Sequence, residues 1–244
     1  MQPSDRPRIW ILNHYAGYPE TVPATRTYEL ASALSRANWD VTVVCSSFNH
    51  YTFTDDLPAD APRIVEQRRN GVRWVFLRGT PYTQNGVRRL RNMVDYARLA
   101  LRWGRRELAP DIIIGTTVHP FAAEVALRLS NEHSVPFIYE VTDLWPATLV
   151  DLGQVRTSSP LFRLFHRFER RAFSNAAGVI GLLPGVADYA LETHRIEIER
   201  FAYIPNGTTV RPLPPVRPDV EPGSVIYAGG FARAHGMTAI LEAA

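Results

Sequence analysis

Five residues in this 244-residue chain stand where a buried sheet would deliver them to a ligand: Gly17, His119, Glu140, Asp143 and Trp145. His119 follows the apolar run DIIIGTTV and precedes Pro120, a residue type favoured in the first turn of a helix. An imidazole there is expected to face the crevice beyond the strand and to donate a hydrogen bond to a substrate hydroxyl or carbonyl. A capping or partly buried histidine is the plainer use of the same position. Glu140 and Asp143 close the run VPFIYEVTD, and carboxylates at a strand end suit sugar hydroxyls or acid–base work. Asp143 also precedes LWP, where a helix cap is wanted. Trp145 offers a flat apolar face to a sugar ring or to the core. Gly17 sits in the loop NHYAGYPETVPATR, where it lets the backbone approach a phosphate at the next helix N-terminus or simply makes a turn. That loop has no GxGxxG pattern, which argues against a nicotinamide dehydrogenase.

Composition narrows the chemistry further. All 27 basic residues are arginine. Without lysine there is no Walker A loop, no kinase strand lysine and no Schiff-base chemistry within this chain. Cys45 is the only cysteine, so disulfide frameworks and multi-cysteine zinc sites are excluded. It ends the apolar run DVTVVC and is expected to be a buried thiol. The net charge of +3 is mild, but arginines cluster in VRRLRN, RWGRREL and FHRFERR. Such clusters suit an anionic membrane surface or a solvated helix face. No apolar run is long enough to span a membrane, and the N-terminus does not read as a signal peptide. A cytoplasmic location is therefore expected, with peripheral contact at the inner face of the plasma membrane.

These residues need elements to hold them, and strand-like and helix-like stretches alternate. The runs PRIWILNH, WDVTVVCSS, GVRWVFLRG, DIIIGTT, VPFIYEVTD, AAGVIGLL and FAYIPNG read as strands. Helical spacing places Leu30, Ala31 and Leu34 on one face of a helix over 25–38. Asn85 caps a second helix, along which Val87, Leu90, Val94, Ala97 and Leu101 repeat. Phe121, Ala122, Val125, Ala126 and Leu129 mark a third. A helix over 159–174 carries Leu161, Leu164, Phe165 and Phe168 on one side and Arg163, Arg167 and Arg170 on another. A short helix starts near Pro184. The segment 48–70 shows no clear period and reads as a long loop.

Continuous apolar strands alternating with helices predict a parallel, doubly wound, Rossmann-like α/β sheet over residues 1–207. Residues 208–222 are proline-rich and read as a semi-rigid linker. Residues 223–244 read as a strand, a Gly229-Gly230 loop and part of a helix, the truncated start of a second such domain. A strand that pairs with a partner chain is the alternative.

In order along the chain, ILNHYAG, TRTYELASAL, DVTVV, DIIIGTTVHPFAAE, VPFIYEVTDLWPATLVDLG, IPNG and VIYAGG make the sequence resemble family 4 glycosyltransferases of the two-domain GT-B fold. The likeness is nearest to the fucosaminyl- and N-acetylglucosamine-type transferases of bacterial surface polysaccharide assembly. It implies a retaining transfer from a nucleotide-diphosphate sugar, UDP-linked, to a saccharide or polyprenyl-diphosphate-linked acceptor, with no cofactor and no essential metal. It further implies that His119 contacts the donor sugar and that Gly17, Gly229 and Gly230 lie near the donor phosphates. Asp143 would line the acceptor side beside Glu140 and Trp145, with His119 and Asp143 as the catalytic pair. Thr142 stands where the family commonly has arginine, and the residues gripping the donor diphosphate fall beyond Ala244. The chain alone is then expected to be inactive. A sugar-nucleotide 2-epimerase of the same fold and a non-catalytic acceptor-binding half of a split enzyme are the alternatives.

Overall fold

The computed structural model describes residues 6–23, 25–84, 86–207, 223–224, 226–229 and 236–243. The elements in chain order are β1 (Arg8–Leu12), α1 (Arg26–Arg36), β2 (Asp40–Ser46), β3 (Phe48–Asn49), β4 (Thr54–Asp55), β5 (Ile64–Arg69) and β6 (Val72–Leu77). There follow α2 (Val87–Gly104), β7 (Ile112–Thr116), α3 (Pro120–His133), β8 (Phe137–Val141), α4 (Ala147–Asp151), α5 (Pro160–Asn175), β9 (Gly178–Gly181), α6 (Val186–His194), β10 (Phe201–Tyr203) and α7 (Met237–Ala243).

Eight strands form one sheet in the order β10-β9-β8-β7-β1-β2-β6-β5. Neighbours run parallel except β5, which is antiparallel to β6. From β1 the chain winds outward through β2 to β6, then returns to β7 on the other side of β1. The winding reverses between β1 and β7, where doubly wound sheets open a crevice beyond the strand ends.

Alternating strand residues feed two cores. Trp10, Leu12, Val44, Val75 and Leu77 meet α2, α3, α5 and α6 on one face. Ile9, Ile11, Val43, Cys45 and Trp74 meet α1 on the other. Each such side chain, fully buried, contributes on the order of 2 kcal/mol. Cys45 is a free, fully buried thiol, as its apolar run implies. Close approach of α3 to β7 depends on Gly115: a Cβ there would lie 2.5 Å from Ala126 Cβ and 3.1 Å from the Ala123 backbone.

Three expectations are corrected. The segment 48–70 is not one loop, because it holds β3, β4 and β5. β5 pairs with β6 through a turn at Asn70 (φ 52°) and Gly71 (φ 77°). Both residues lie in the left-handed region that such two-residue hairpins require. As an edge strand, β5 keeps Glu66, Gln67 and Arg68 in solvent, which hid its period. On α2 the buried face is Asn92, Met93, Tyr96, Leu99, Ala100 and Trp103, with Ala97 and Leu101 of the expected row packed beside it, whereas Val87 is 84% exposed. Residues 226–228, expected as a strand, form no regular structure and pair with no strand among the described residues. The helix after them does form, as α7, with no buried residue. Asn85, the linker 208–222 and Gly230 lie outside the described residues.

Candidate functional site

A cavity of about 730 Å³ opens beyond the carboxyl ends of β1, β7 and β8, at the point where the winding reverses. The loop after β1 contributes Asn13, Tyr15, Pro23 and Thr25, and the start of α1 contributes Arg26. His50 and Tyr51 enter from the β3–β4 hairpin and Arg89 from α2. The β8 end supplies Thr142, Asp143 and Trp145, and α4 adds Thr148 and Leu149. Asn206 and Gly207, from the segment IPNG after β10, close the far side.

Two of the residues singled out in the sequence are on this wall. Asp143 opens into the cavity, and desolvation by the surrounding protein raises its carboxyl above the usual range despite a hydrogen bond from Thr142. It does not cap a helix, because α4 starts after Pro146. Thr117 holds the segment: its Oγ1 accepts from Thr142 N at 2.9 Å, and its O accepts from Thr142 Oγ1 at 3.0 Å. Trp145 lines the cavity and meets the Phe165 ring at 64°, with centroids 5.9 Å apart.

Glu140, Gly17 and His119 lie behind the wall. Glu140 is 1% exposed, and both its oxygens are engaged. Oε1 accepts from Arg26 Nε at 2.9 Å, and Oε2 accepts from Thr116 Oγ1 at 2.6 Å. Arg26 also donates to Pro205 O at 2.9 Å, so Glu140 orients a cavity arginine rather than meeting a ligand itself. Gly17 is buried, and a Cβ there would lie 2.9 Å from Val22 Cγ1. Its missing side chain lets the loop fold on itself, as Thr21 N and Val22 N both donate to Tyr18 O at 2.9 Å. Gly229 is exposed, beside Tyr227.

His119 does not face the crevice. It is fully buried, its Nε2 2.6 Å from Nδ1 of His14, because the loop after β1 folds over it. His14 is likewise fully buried, with Nε2 2.8 Å from Asn92 Oδ1 and its ring against Tyr96 at 4.4 Å. Burial first, then the nearby Arg89, keeps His14 neutral with a pKa lowered to about 3. Burial also drives His119 well below its usual range, with His14 and Arg89 adding to the effect. Sequence reasoning missed His14, although it follows β1 as closely as His119 follows β7.

An aromatic tier rims the opening. Tyr15 stacks on His50 with centroids 4.8 Å apart, and Arg89 lies 5.9 Å over the Tyr15 ring. Burial lowers the His50 pKa to about 4, with Arg89 adding to it, so this imidazole is neutral at neutral pH. The wall therefore offers two cations, Arg26 and Arg89, and one carboxyl, Asp143. It can bind an anionic group beside sugar hydroxyls, with Trp145 and Tyr51 as stacking faces. Among the described residues no three His, Cys, Asp or Glu side chains come together as a metal site, and no helix is long and apolar enough to cross a membrane.

The model of a glycosyl transferase 4-like domain matches residues 23–207. A solved sucrose-phosphate synthase structure from Thermosynechococcus elongatus is similar over 83% of this chain and 90% of its own, at 15% identity and a TM-score of 0.50. That likeness is one of fold. Arabidopsis thaliana UGT89C1, solved with UDP-L-rhamnose, aligns with 99% of this chain and 55% of its own, at 13% identity and a TM-score of 0.48. The chain thus spans little more than half of that protein. No curated protein matches.

Proposed function

The chain belongs to the glycosyl transferase 4-like domain family, and from that premise we propose that it forms the acceptor-side half of a GT-B cleft in a sugar transferase. The observation that carries this reading is the cavity at the β1/β7 reversal, where Asp143, Trp145 and two arginines converge. In this reading a nucleotide-diphosphate sugar, UDP-linked, is held mainly by the second domain that begins near Gly223, with Gly229 and Gly230 in its first loop. The sugar's reacting face turns toward the loop after β1 and reaches the buried His119 only when that loop moves. The acceptor, a saccharide on a polyprenyl diphosphate, lies against Trp145, with hydroxyls on Asp143 and phosphate beside Arg26 and Arg89. Transfer proceeds with retention, in the assembly of a bacterial surface polysaccharide.

An anionic membrane would bring a lipid-linked acceptor within reach. Arg163, Arg167 and Arg170 are exposed on α5, next to the 39%-exposed Leu164. This arginine face suits peripheral contact with the inner face of the plasma membrane.

Calorimetric titration of this chain tests the division of the cleft. A short-chain polyprenyl-diphosphate N-acetylglucosamine is expected to bind, and Trp145→Ala to weaken it about tenfold. UDP and UDP-N-acetylglucosamine are expected to bind weakly. Tight UDP binding without any lipid-linked sugar binding would overturn the assignment and favour an epimerase-like nucleotide site.

A further inference from the structure

The hydrogen bonds around His14 determine where the protons of the buried histidine pair reside. Asn92 Nδ2 donates to Thr80 O at 2.8 Å, which turns its Oδ1 toward His14 Nε2. A carbonyl oxygen only accepts, so His14 Nε2 carries the proton. The ring is neutral, which leaves a lone pair on its Nδ1. The 2.6 Å contact with His119 then requires a proton on His119 Nε2. His119 Nδ1 is left as a bare acceptor, buried and without a hydrogen-bond partner among the described residues.

Its position sharpens the consequence. His119 is the N-cap of the 14-residue α3, and its side chain makes no capping bond. A helix N-terminus attracts anions, but a lone pair at the same place repels them. A neutral hydroxyl satisfies both, with its O–H donated to Nδ1 and its oxygen toward the helix. His119 has no exposed surface, so contact requires part of the cavity wall to move. Tyr15 both lines the cavity and stands edge-on to His119, at 5.8 Å between centroids.

We propose that His14 is a positioning residue that, through Asn92, locks His119 into the tautomer whose Nδ1 only accepts, so that the sugar meeting His119 must present a neutral hydroxyl and not a carboxylate. This rests on the reading of His119 as a donor-sugar contact. Were His119 cationic or the opposite tautomer, a uronate-type sugar would be favoured at the same place.

The test uses the full-length protein with ¹⁵N-labelled histidine, and two donors that differ only in a hydroxymethyl against a carboxylate: UDP-glucose and UDP-glucuronic acid. NMR should show His119 protonated on Nε2 and neutral from pH 8 down to about pH 5.5. In His14→Phe, which keeps the ring against Tyr96 but supplies no acceptor, the tautomers should mix. In His14→Gln, whose amide offers one acceptor and one donor, the wild-type form should persist. By calorimetry the wild type should favour UDP-glucose at least tenfold. His14→Phe should shrink that preference to about threefold or less, and His14→Gln should restore it. A proton on His119 Nδ1 in the wild type, or an unchanged preference in a folded His14→Phe, overturns the proposal. If the wild type binds neither these donors nor UDP-N-acetylglucosamine, the transferase reading fails, while the spectra still decide the role of His14.

Discussion

Protonating His14 would place a charge where water does not reach, and that ties stability to pH. Its pKa is lowered to about 3 in the fold, chiefly by burial, whereas the unfolded chain protonates the same ring near its usual 6.5. The folded value lies below the unfolded one. The stability from a neutral ring is therefore complete above pH 6.5 and is lost as pH falls toward 3. At pH 5 the loss from this one ring is about 2 kcal/mol. Urea titrations should show the advantage of wild type over His14→Gln shrinking by that amount between pH 7.5 and pH 5, and a constant difference would contradict it. Glu140 makes a second prediction. With the carboxylate gone, Arg26, only 16% exposed, is left without its partner, so Glu140→Ala should cost about 3 kcal/mol in urea unfolding. A cost below about 1 kcal/mol would mean that the arginine finds water instead. Asp143 and Trp145 were legible because a strand-end rule needs only the local order of strand and loop. Glu140 and Gly17 obeyed the same rule and still lie behind the wall, because their neighbours are set by packing. His14 was hidden because its partner is 105 residues away. The signal that finds it is sheet order: Leu12 and Thr116 end neighbouring strands.

At the scale of elements, β7 and α3 hold the histidine pair in register with the cavity, and Gly115 sets their spacing. Gly115→Ala would press a methyl against Ala126 and the α3 backbone, and should destabilise the fold by about 2 kcal/mol. It should also tilt the N-terminus of α3, which a changed His119 imidazole resonance would report; wild-type stability with an unmoved resonance would show that the contact is relieved for free. The central strands were legible because burial on both faces leaves unbroken apolar runs. The β5–β6 hairpin was not read, though Asn70-Gly71 is a strong turn signal, because the polar edge strand beside it carries little hydrophobic period. On α2 the aliphatic period found Ala97 and Leu101 at the margin of the packed face and missed its centre, which Tyr96 and Trp103 occupy.

The whole molecule gathers its cations unevenly about a sheet whose cavity opens at the carboxyl ends of its central strands. The exposed arginines of α5 lie on the far side of Phe165, which packs inward against Phe121 and Trp145. Co-sedimentation with vesicles containing about a third phosphatidylserine should capture the protein at low salt and release it near 0.5 M salt, where screening is short-ranged. Arg163→Glu with Arg167→Glu should abolish capture, and binding that ignores both salt and these substitutions would remove the membrane from the proposed function.

One side chain far from the cavity gives the molecule an internal clock. Cys45 is sealed in β2, with two strands between it and the nearer edge of the sheet, and the chain has no second sulfhydryl. A disulfide reagent reaches that sulfur only when the strands around it part. The rate of labelling therefore times the opening of the middle of the sheet, and ligand filling the crevice at the strand ends should slow it without touching the thiol.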